Sequence, residues 1–474
     1  MSTLPSILYS RTASNNAGNG LYASESIEAS IEIFRIDRPL VSVLDSPHLK
    51  DACSNCYVWA PESGLGQFKE ERGKGDCQAQ AWKGRHRFEC KIFAKLYPNV
   101  LPNTVRMVIQ LLLRRQAKAL PDSEWEALLK LQSHIDDFRS SHSKNPEGLT
   151  TWQTIELMSN AASKYSGSKE PIPFIQTLTA RILINTLTLT TPTFDPLGLC
   201  VSPLSSLLNH SCAPNTAVIY SGPTLTLRSL APIPQDSELT ISYIDTTNPT
   251  PTRQSELQSR YFFTCVCPSC TTHSTNTLPD PPYSQAFEAT SVRAIELQNE
   301  AATKPPNEAT ALLKTSLSLF KPYPPYQQPH PTILHTAFLN AITVSNYPLA
   351  LSYALRAYFH IDPIRYPLPW HPVRVVRKWV LLRCVVQIAA LISEDGDVGT
   401  KEKLEKFGID WQVVAVGLFQ EVEEGVGRSH GVGSGFAEEV RGFGEGVGVR
   451  GGSVERGVVE EMWGRLRRVA EGEF

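Results

Sequence analysis

The stretch Ser202–Leu230, SPLSSLLNHSCAPNTAVIYSGPTLTLRSL, joins an apolar run to a dense polar cluster and then returns at once to β-type alternation. The cluster contains Asn209, His210 and Cys212, and the alternating residues beyond it predict two strands joined by a Ser-Gly-Pro turn. Such residues occur in metal sites, in nucleophile–base pairs and in ligand-binding loops. The rest of the chain has to distinguish these three interpretations.

The composition is that of a globular protein with two or three domains. The 474 residues are 41% hydrophobic and 19% charged, with a formal net charge of −2. This balance provides no general basic surface, so we expect no direct binding to nucleic acid. The sequence has no apolar run long enough to span a bilayer and no signal-peptide core at its start, so we expect no membrane partner and an intracellular location.

Cysteine spacing is the strongest local signal. Cys265, Cys267 and Cys270 lie together in YFFTCVCPSC, and three thiolates at this spacing can occupy three corners of a tetrahedral zinc site. No cysteine follows closely, so Cys212 is the best candidate for the fourth ligand. The alternative is a group of buried free thiols. A Cys–His catalytic pair is disfavoured, since a thiolate bound to zinc is not a free nucleophile and His210 is only two residues from Cys212.

Residue periodicity predicts strands within residues 21–45 and at Glu238–Ile244, and helices over residues 104–165. Beyond a Pro-rich linker, residues 284–425 have a helical pattern that suggests antiparallel helical hairpins. Residues 424–456 are rich in glycine and are expected to be poorly ordered.

Three segments, SLLNHSCAPNT, SELTISYI and YFFTCVCPSC, resemble in order and spacing the C-terminal half of a SET domain with its post-SET zinc cluster. The early segment AGNGLYA resembles the N-terminal SET motif, in which a Gly-x-Gly turn brings backbone against the cofactor. Between them, CSNC and CQAQAWKGRHRFEC resemble the two ends of a MYND zinc finger. This arrangement is similar to that of the SET-and-MYND-domain protein lysine methyltransferases.

The resemblance implies an α+β protein: a SET-domain fold of small pseudo-knotted sheets, split by a zinc-finger-like insert and a helical insert, and followed by an α-helical C-terminal region. The expected divisions are the N-terminal part of the SET domain (1–50), a degenerate MYND-type finger (51–92), the helical insert (93–195), the C-terminal SET core (196–246), the post-SET zinc region (247–272), the helical C-terminal domain (273–425) and a Gly-rich tail with a terminal helix (426–474).

The activity implied by the resemblance is methyl transfer from S-adenosylmethionine to a lysine amine of a histone or non-histone protein. The matching cofactor-binding positions are Asn19, His134, Asn185, Asn209, His210, Tyr243 and Phe263. In this match the Tyr243 hydroxyl lies beside the transferring methyl and is catalytic, Tyr261 lines the lysine channel and Asn215 braces the loop. Without the resemblance, Asn19 would be an ordinary turn residue, while Phe263, Tyr243 and Tyr261 would be packing residues.

The finger-like insert departs from the family pattern. Two interleaved zinc ions need eight ligands, and the visible ones are Cys53, Cys56, Cys77, His86 and Cys90. The family pairing would place the first three at one site and the last two at the other, leaving both incomplete. A rearranged site that omits Cys77 and a collapsed, metal-free remnant are the alternatives. Residues 57–76 replace the missing cysteines, either as a genuine loop or through a fault in the predicted gene.

The leading interpretation answers the opening question with two roles: Asn209 and His210 contact the cofactor, while Cys212 fastens their loop to the tail that carries Phe263. The runner-up is a catalytically silent SET-like scaffold. A zinc-dependent hydrolase is disfavoured, since the best zinc site is filled by thiolates. We expect a monomer in the nucleus, the cytoplasm or both, with S-adenosylmethionine and zinc as cofactors and a protein lysine as substrate.

Overall fold

The computed structural model describes residues 4–13, 18–59, 76–142, 144–271, 285–393, 408–452 and 454–471. The chain divides into two compact units: Met1–Ile244 with Gln254–Cys267, and Asp245–Arg253 with Pro268–Phe474. Among the described residues, we find no helix long and apolar enough to cross a membrane.

The first unit contains several small sheets. Its strands are β1 Leu8–Thr12, β2 Asn19–Ala23, β3 Glu32–Ile36, β4 Val41–Leu44, β5 Leu187–Thr190, β6 Pro196–Val201, β7 Asn209–His210, β8 Thr216–Ser221, β9 Thr224–Ser229 and β10 Thr240–Ile241. Strands β1 and β2 pair antiparallel, the orders β3-β9-β8 and β4-β6-β5 form two three-stranded sheets, and β7 pairs with β10. The hairpin predicted after the polar cluster is confirmed as β8 and β9, with Gly222 in its turn at φ +57°.

The pairing of β7 with β10 brings the polar cluster beside the SELTISY segment. It is parallel, with Asn209 opposite Thr240 and His210 opposite Ile241. Asn215 braces the pair as expected: its Nδ2 donates to the Glu238 carbonyl at 2.8 Å and its Oδ1 accepts from the Thr240 amide at 2.8 Å. Two segments that are separated in sequence are therefore joined by strand pairing and by the Asn215 side chain.

Helices between β4 and β5 form a second core in this unit. The helix Asn103–Gln116 buries Met107, Ile109 and Leu111 against the helices Thr151–Ser166 and Ile172–Asn185. Thr150 and Gln153 form a capping box at the start of the helix Thr151–Ser166. The remaining helical segments are 3₁₀ turns at Ser46–Leu49 and Ser205–Leu207, α-helices at Asp76–Ala81, Arg87–Leu96, Asp122–Lys130 and Ile135–Ser140, and a π-helical turn at Trp82–His86.

The second unit is helical, as predicted for residues 284–425. Its core includes Phe287, Leu313, Phe320, Ile333 and Leu351. Its helices are Gln285–Ala302, Pro306–Ser318, His330–Thr343, Tyr347–Arg356, Asp362–Arg365, Pro372–Ser393, Trp411–Ser429, Gly435–Gly446 and Arg456–Ala470, with a π-helical turn at Ala357–Ile361. Two further helices, Thr250–Tyr261 and Pro268–Thr271, belong to the segment that follows β10.

The expectation of poor order over residues 424–456 is wrong. Most of this stretch lies in two helices, the second of which is capped by the Ser434 side chain. Glycine lowers intrinsic helix propensity. Here it permits close packing, since a Cβ at Gly425 would lie 2.8 Å from Val375 Cγ2 and one at Gly444 would overlap the Phe419 ring. The tertiary contacts thus override the local composition.

Candidate functional site

The N-terminal glycine motif lies directly against the polar cluster. Asn209 Nδ2 donates to Glu238 Oε1 at 2.7 Å. A Cβ at Gly20 would overlap that carboxylate oxygen and would lie 3.0 Å from Asn209 Nδ2, so a larger residue in β2 at this position would have to displace both side chains. The preceding residue, Asn19, is exposed, and Thr12 Oγ1 donates to its Oδ1 at 3.4 Å. Backbone and polar side chains therefore meet on one side of the site.

A loop of the helical insert forms a second wall. Gly18, at φ +77°, lies so close to Gln132 that an added Cβ would be 2.5 Å from Gln132 Nε2. Asn185 Nδ2 donates to the Gln132 carbonyl at 2.9 Å, and His134 follows Gln132 by two residues. Asn185 and His134, two of the expected cofactor-binding residues, thus both lie at the loop that contains Gln132. The same loop contacts the glycine motif through Gln132.

Adjacent aromatic residues of the segment after β10 contact two different parts of the site. Phe262 adopts φ +62°, stacks on His134 with ring centroids 5.9 Å apart and meets Phe138 edge-on at 4.8 Å. Phe263 instead lies 6.0 Å from the His210 ring. His134 is also left-handed, at φ +48°. Non-glycine residues in this conformation carry a strain of order 1–3 kcal/mol and are found disproportionately at functional sites.

Tyr243 lies at the centre of the aromatic cluster. Its ring is 5.3 Å from His210 and 4.9 Å from Tyr261. The Tyr243 hydroxyl donates to the Leu208 carbonyl at 2.6 Å. Burial raises the pKa of Tyr243 well above its usual value, and the pKa of Tyr261 is raised for the same reason. Both residues are therefore neutral phenols at neutral pH.

The His210 ring connects Tyr243 to the thiols. Its Nδ1 accepts a hydrogen bond from the Tyr243 amide at 3.1 Å, so the proton of the neutral ring is on Nε2. Nε2 is 3.3 Å from the Cys212 sulfur and donates to it. Hydrogen bonds at both ring nitrogens fix the orientation of the His210 ring. One of the two depends on the Cys212 sulfur, so the position of Cys212 affects the orientation of His210.

The four cysteines proposed as one metal centre lie together. The sulfurs of Cys212, Cys265, Cys267 and Cys270 are all within 4.8 Å of one another. Gln254 fixes part of this loop: its side chain donates to the Cys265 carbonyl and accepts from the Cys265 amide, both at 2.8 Å. This donor set fits a closed, tetrahedral zinc site with a structural role.

The finger-like insert has three of its proposed ligands in one place. Cys53, Cys56 and Cys77 form the second group of sulfurs within 4.8 Å of one another. Within the described residues, His86 and Cys90 do not join this group, so the rearranged site that used them in place of Cys77 is not assembled. The physical reason is helical: His86 and Cys90 follow Cys77 along a continuous helical segment that carries them away from it.

Sequence comparison identifies residues 18–244 as a SET domain. The chain is 33% identical over 258 residues to SET domain and MYND-type zinc finger protein 6 of Schizosaccharomyces pombe, which covers 53% of this chain and 50% of that protein. The chain is therefore similar, over its SET region, to SET-and-MYND-domain proteins. Proteins with similar sequences include histone-lysine N-methyltransferase SMYD3 of Homo sapiens, 27% identical over 55% of this chain and 60% of its own length, and human N-lysine methyltransferase SMYD2, 29% identical over 45% and 50%.

The similarity is confined to part of each protein, since the chain spans about half the length of the curated relatives it matches. A solved structure, described as the SET domain of LSMT bound to lysine and AdoHcy, covers 97% of this chain and 94% of its own at 12% identity and a TM-score of 0.33. The similarity to SET-domain proteins is carried by the sequence matches.

Sequence reasoning missed three residues at this site: Gln132, Glu238 and Phe262. Glu238 was only a strand residue in SELTISY, although an acidic side chain beside a half-buried strand is a recognisable signal. Gln132 has no signal in a single sequence, since it contacts Gly18 only through tertiary packing. The left-handed turn at Phe262 is equally invisible, because phenylalanine has no local preference for that conformation.

Proposed function

We propose that this chain is an S-adenosylmethionine-dependent protein-lysine N-methyltransferase that acts on histone or non-histone proteins. The observation that carries the proposal is the convergence of four residues: Asn209 and His210 lie on β7, Tyr243 and Phe263 contact the His210 ring, and the Asn209 amide approaches Gly20. The names of the relatives, which describe lysine methyltransferases, support the same activity.

The arrangement of residues suits S-adenosylmethionine. This cofactor, when bound, supplies a methyl group on a sulfonium centre. The residues that would hold it are Asn19, His134, Asn185, Asn209, His210 and Phe263. Two observations support the fit. The Gly20 backbone closely approaches polar side chains, and a Cβ at Gly20 would fill the space between them. The aromatic ring of Phe263 also lies beside His210.

Tyr243 and Tyr261 are proposed to receive the target lysine. A lysine must lose its proton before its nitrogen can act as a nucleophile, and its free pKa is about 10.4. An aromatic, partly buried environment lowers that pKa by disfavouring the charged form. Because the Tyr243 hydroxyl already donates its only proton to the Leu208 carbonyl, it can act toward the amine only as an acceptor. It would thus hold an amine N–H and direct the nitrogen lone pair toward the methyl group.

Cofactor titration followed by a methyl-transfer screen tests this proposal. Calorimetry with S-adenosylmethionine should show saturable binding, and labelled cofactor should mark lysines in a set of candidate proteins. Asn209→Ala should weaken both cofactor binding and methyl transfer. The control Asn99→Ala changes an exposed residue of the helical insert and should alter neither. A chain that binds no cofactor at millimolar concentration would instead be a silent SET-like scaffold.

We further propose a monomer that is located in the nucleus, the cytoplasm or both and has no direct nucleic-acid partner. The support for the last point is the formal net charge of −2, which gives the chain no general attraction for a polyanion. Sedimentation at micromolar concentration and imaging of the tagged chain would test the first two statements.

A further inference from the structure

The three-thiol cluster of the insert is held by a defined set of contacts. Two turns shape the loop that carries Cys53 and Cys56: the Cys53 amide donates to the Val58 carbonyl at 3.0 Å, and the Tyr57 amide donates to the Cys53 carbonyl at 2.8 Å. Tyr57 itself is buried, and its hydroxyl is hydrogen-bonded to Ser42 on β4. The loop is therefore anchored to the SET-domain sheet.

A second set of contacts brings Cys77 to this loop. Asn55, which is buried, donates from Nδ2 to Gln80 Oε1 at 3.0 Å, and its carbonyl accepts from Arg38 Nη1 at 3.0 Å. Gln80 lies one helical turn beyond Cys77, so the Asn55–Gln80 bond holds the start of that helix against the loop. Backbone hydrogen bonds of the loop and the Asn55–Gln80 bond thus bring the three sulfurs together.

Helix geometry separates the other two proposed ligands from this cluster. The segments Asp76–Ala81, Trp82–His86 and Arg87–Leu96 follow one another without a break. His86 lies nine residues after Cys77, and Cys90 thirteen. At a rise of about 1.5 Å per residue, these distances along the axis are roughly 13 Å and 19 Å. One ion cannot bind Cys77 together with either of them.

Among the described residues, the three sulfurs have no fourth protein ligand. In the part of the chain that the structure describes, no other cysteine, histidine or carboxylate joins the three sulfurs. Residues 60–75 contain neither cysteine nor histidine. His86 and Cys90 alone offer two ligands, fewer than the four of a structural zinc site. The residues therefore do not fit the two-zinc finger that the family resemblance implies.

We propose that the insert holds a single zinc ion through Cys53, Cys56 and Cys77, with the fourth ligand taken from solution as water or a small thiol. Zinc sites with three protein ligands keep a position for an exogenous ligand, whereas four-thiolate sites are closed. The ion of the insert is consequently exchangeable and sensitive to added thiol, and the ion of the Cys212 centre is not. This inference does not depend on the proposed methyltransferase activity.

Metal content and release kinetics of the full chain test the proposal. Elemental analysis should give about two zinc ions per chain, one for each cluster. A colorimetric chelator such as 4-(2-pyridylazo)resorcinol should then remove one ion quickly and the other slowly. Cys77→Ser should abolish the fast phase and leave about one ion per chain, whereas the matched Cys90→Ser should retain both ions and both phases.

Cobalt substitution supplies a second measurement that does not require removal of a cysteine. The thiolate-to-cobalt absorption of the unaltered chain should shift when β-mercaptoethanol is added, and the shift should be absent in Cys77→Ser. Circular dichroism of each variant would detect a folding failure, and Cys53→Ser provides a second variant at the same cluster. One ion per chain, three ions per chain, uniformly slow release, or loss of the fast phase in Cys90→Ser would each overturn the proposal.

Discussion

Replacing Tyr243 with phenylalanine isolates one hydroxyl group. The variant keeps the ring and its contacts with His210 at 5.3 Å and Tyr261 at 4.9 Å, and it removes the bond to the Leu208 carbonyl. If this hydroxyl orients the amine mainly in the transition state, its loss should lower kcat and leave cofactor affinity nearly unchanged. One lost hydrogen bond of this kind costs about 1–3 kcal/mol, which is roughly a ten- to hundredfold slower turnover.

The same substitution has a separate effect on stability. Leu208 is buried, and its carbonyl would lose the donor that now lies 2.6 Å away. Leaving a buried acceptor unsatisfied costs about 1–3 kcal/mol in the free energy of unfolding. The melting temperature should therefore fall by several degrees. A matched control is Tyr220→Phe, which removes a buried hydroxyl bonded to the Cys200 sulfur in the core and should lower stability alone.

The pH dependence provides a further check on Tyr243. Burial raises its pKa, so the group is protonated in the folded protein throughout the neutral range. A rise in rate with pH should then report deprotonation of the substrate lysine. Tyr243→Phe should lower the height of the profile without moving its midpoint.

The assay is single-turnover methyl transfer with labelled cofactor on a substrate found by screening, with cofactor affinity and melting temperature measured on the same preparations. Full turnover in Tyr243→Phe, with stability reduced as in Tyr220→Phe, would refute the catalytic assignment and leave Tyr243 as a packing residue. A large loss of cofactor affinity with unchanged kcat would also contradict it, since the hydroxyl would then act on ground-state binding.

Three other substitutions test separate parts of the structure. Asn209→Ala should weaken S-adenosylmethionine binding by about tenfold, the worth of one hydrogen bond, with zinc content unchanged; calorimetry and elemental analysis together would show an error if zinc were lost as well. Cys267→Ser should remove one zinc ion per chain and lower the melting temperature, because a structural zinc contributes folding energy, and an unchanged metal content would disprove the site. Gly444→Val should destabilise the second unit by about 1–3 kcal/mol through overlap with the Phe419 ring, while Gly442→Ala, which meets no atom within 4 Å, should be neutral or slightly stabilising in thermal melts.

The sequence by itself determined the features that depend on local patterns. Alternation predicted the hairpin of β8 and β9, and helical spacing predicted the core helix Asn103–Gln116. The spacing of Cys265, Cys267 and Cys270 indicated a metal centre because all three ligands lie within a few residues of each other. A single sequence shows these features because the residues that form each of them are close together in the chain.

Only the tertiary structure decided which distant groups meet. Glu238 and Gln132 reach the glycine motif through strand pairing and helix packing, and no local pattern in the sequence shows which residues they contact there. By local propensity, Gly425 and Gly444 disfavour a helix. In the structure, Val375 and Phe419 occupy the space that a side chain at these positions would need. In the insert, a continuous helical segment after Cys77 removed two candidate ligands from the cluster. Each outcome depends on separations across the fold, which residue spacing along the chain does not encode.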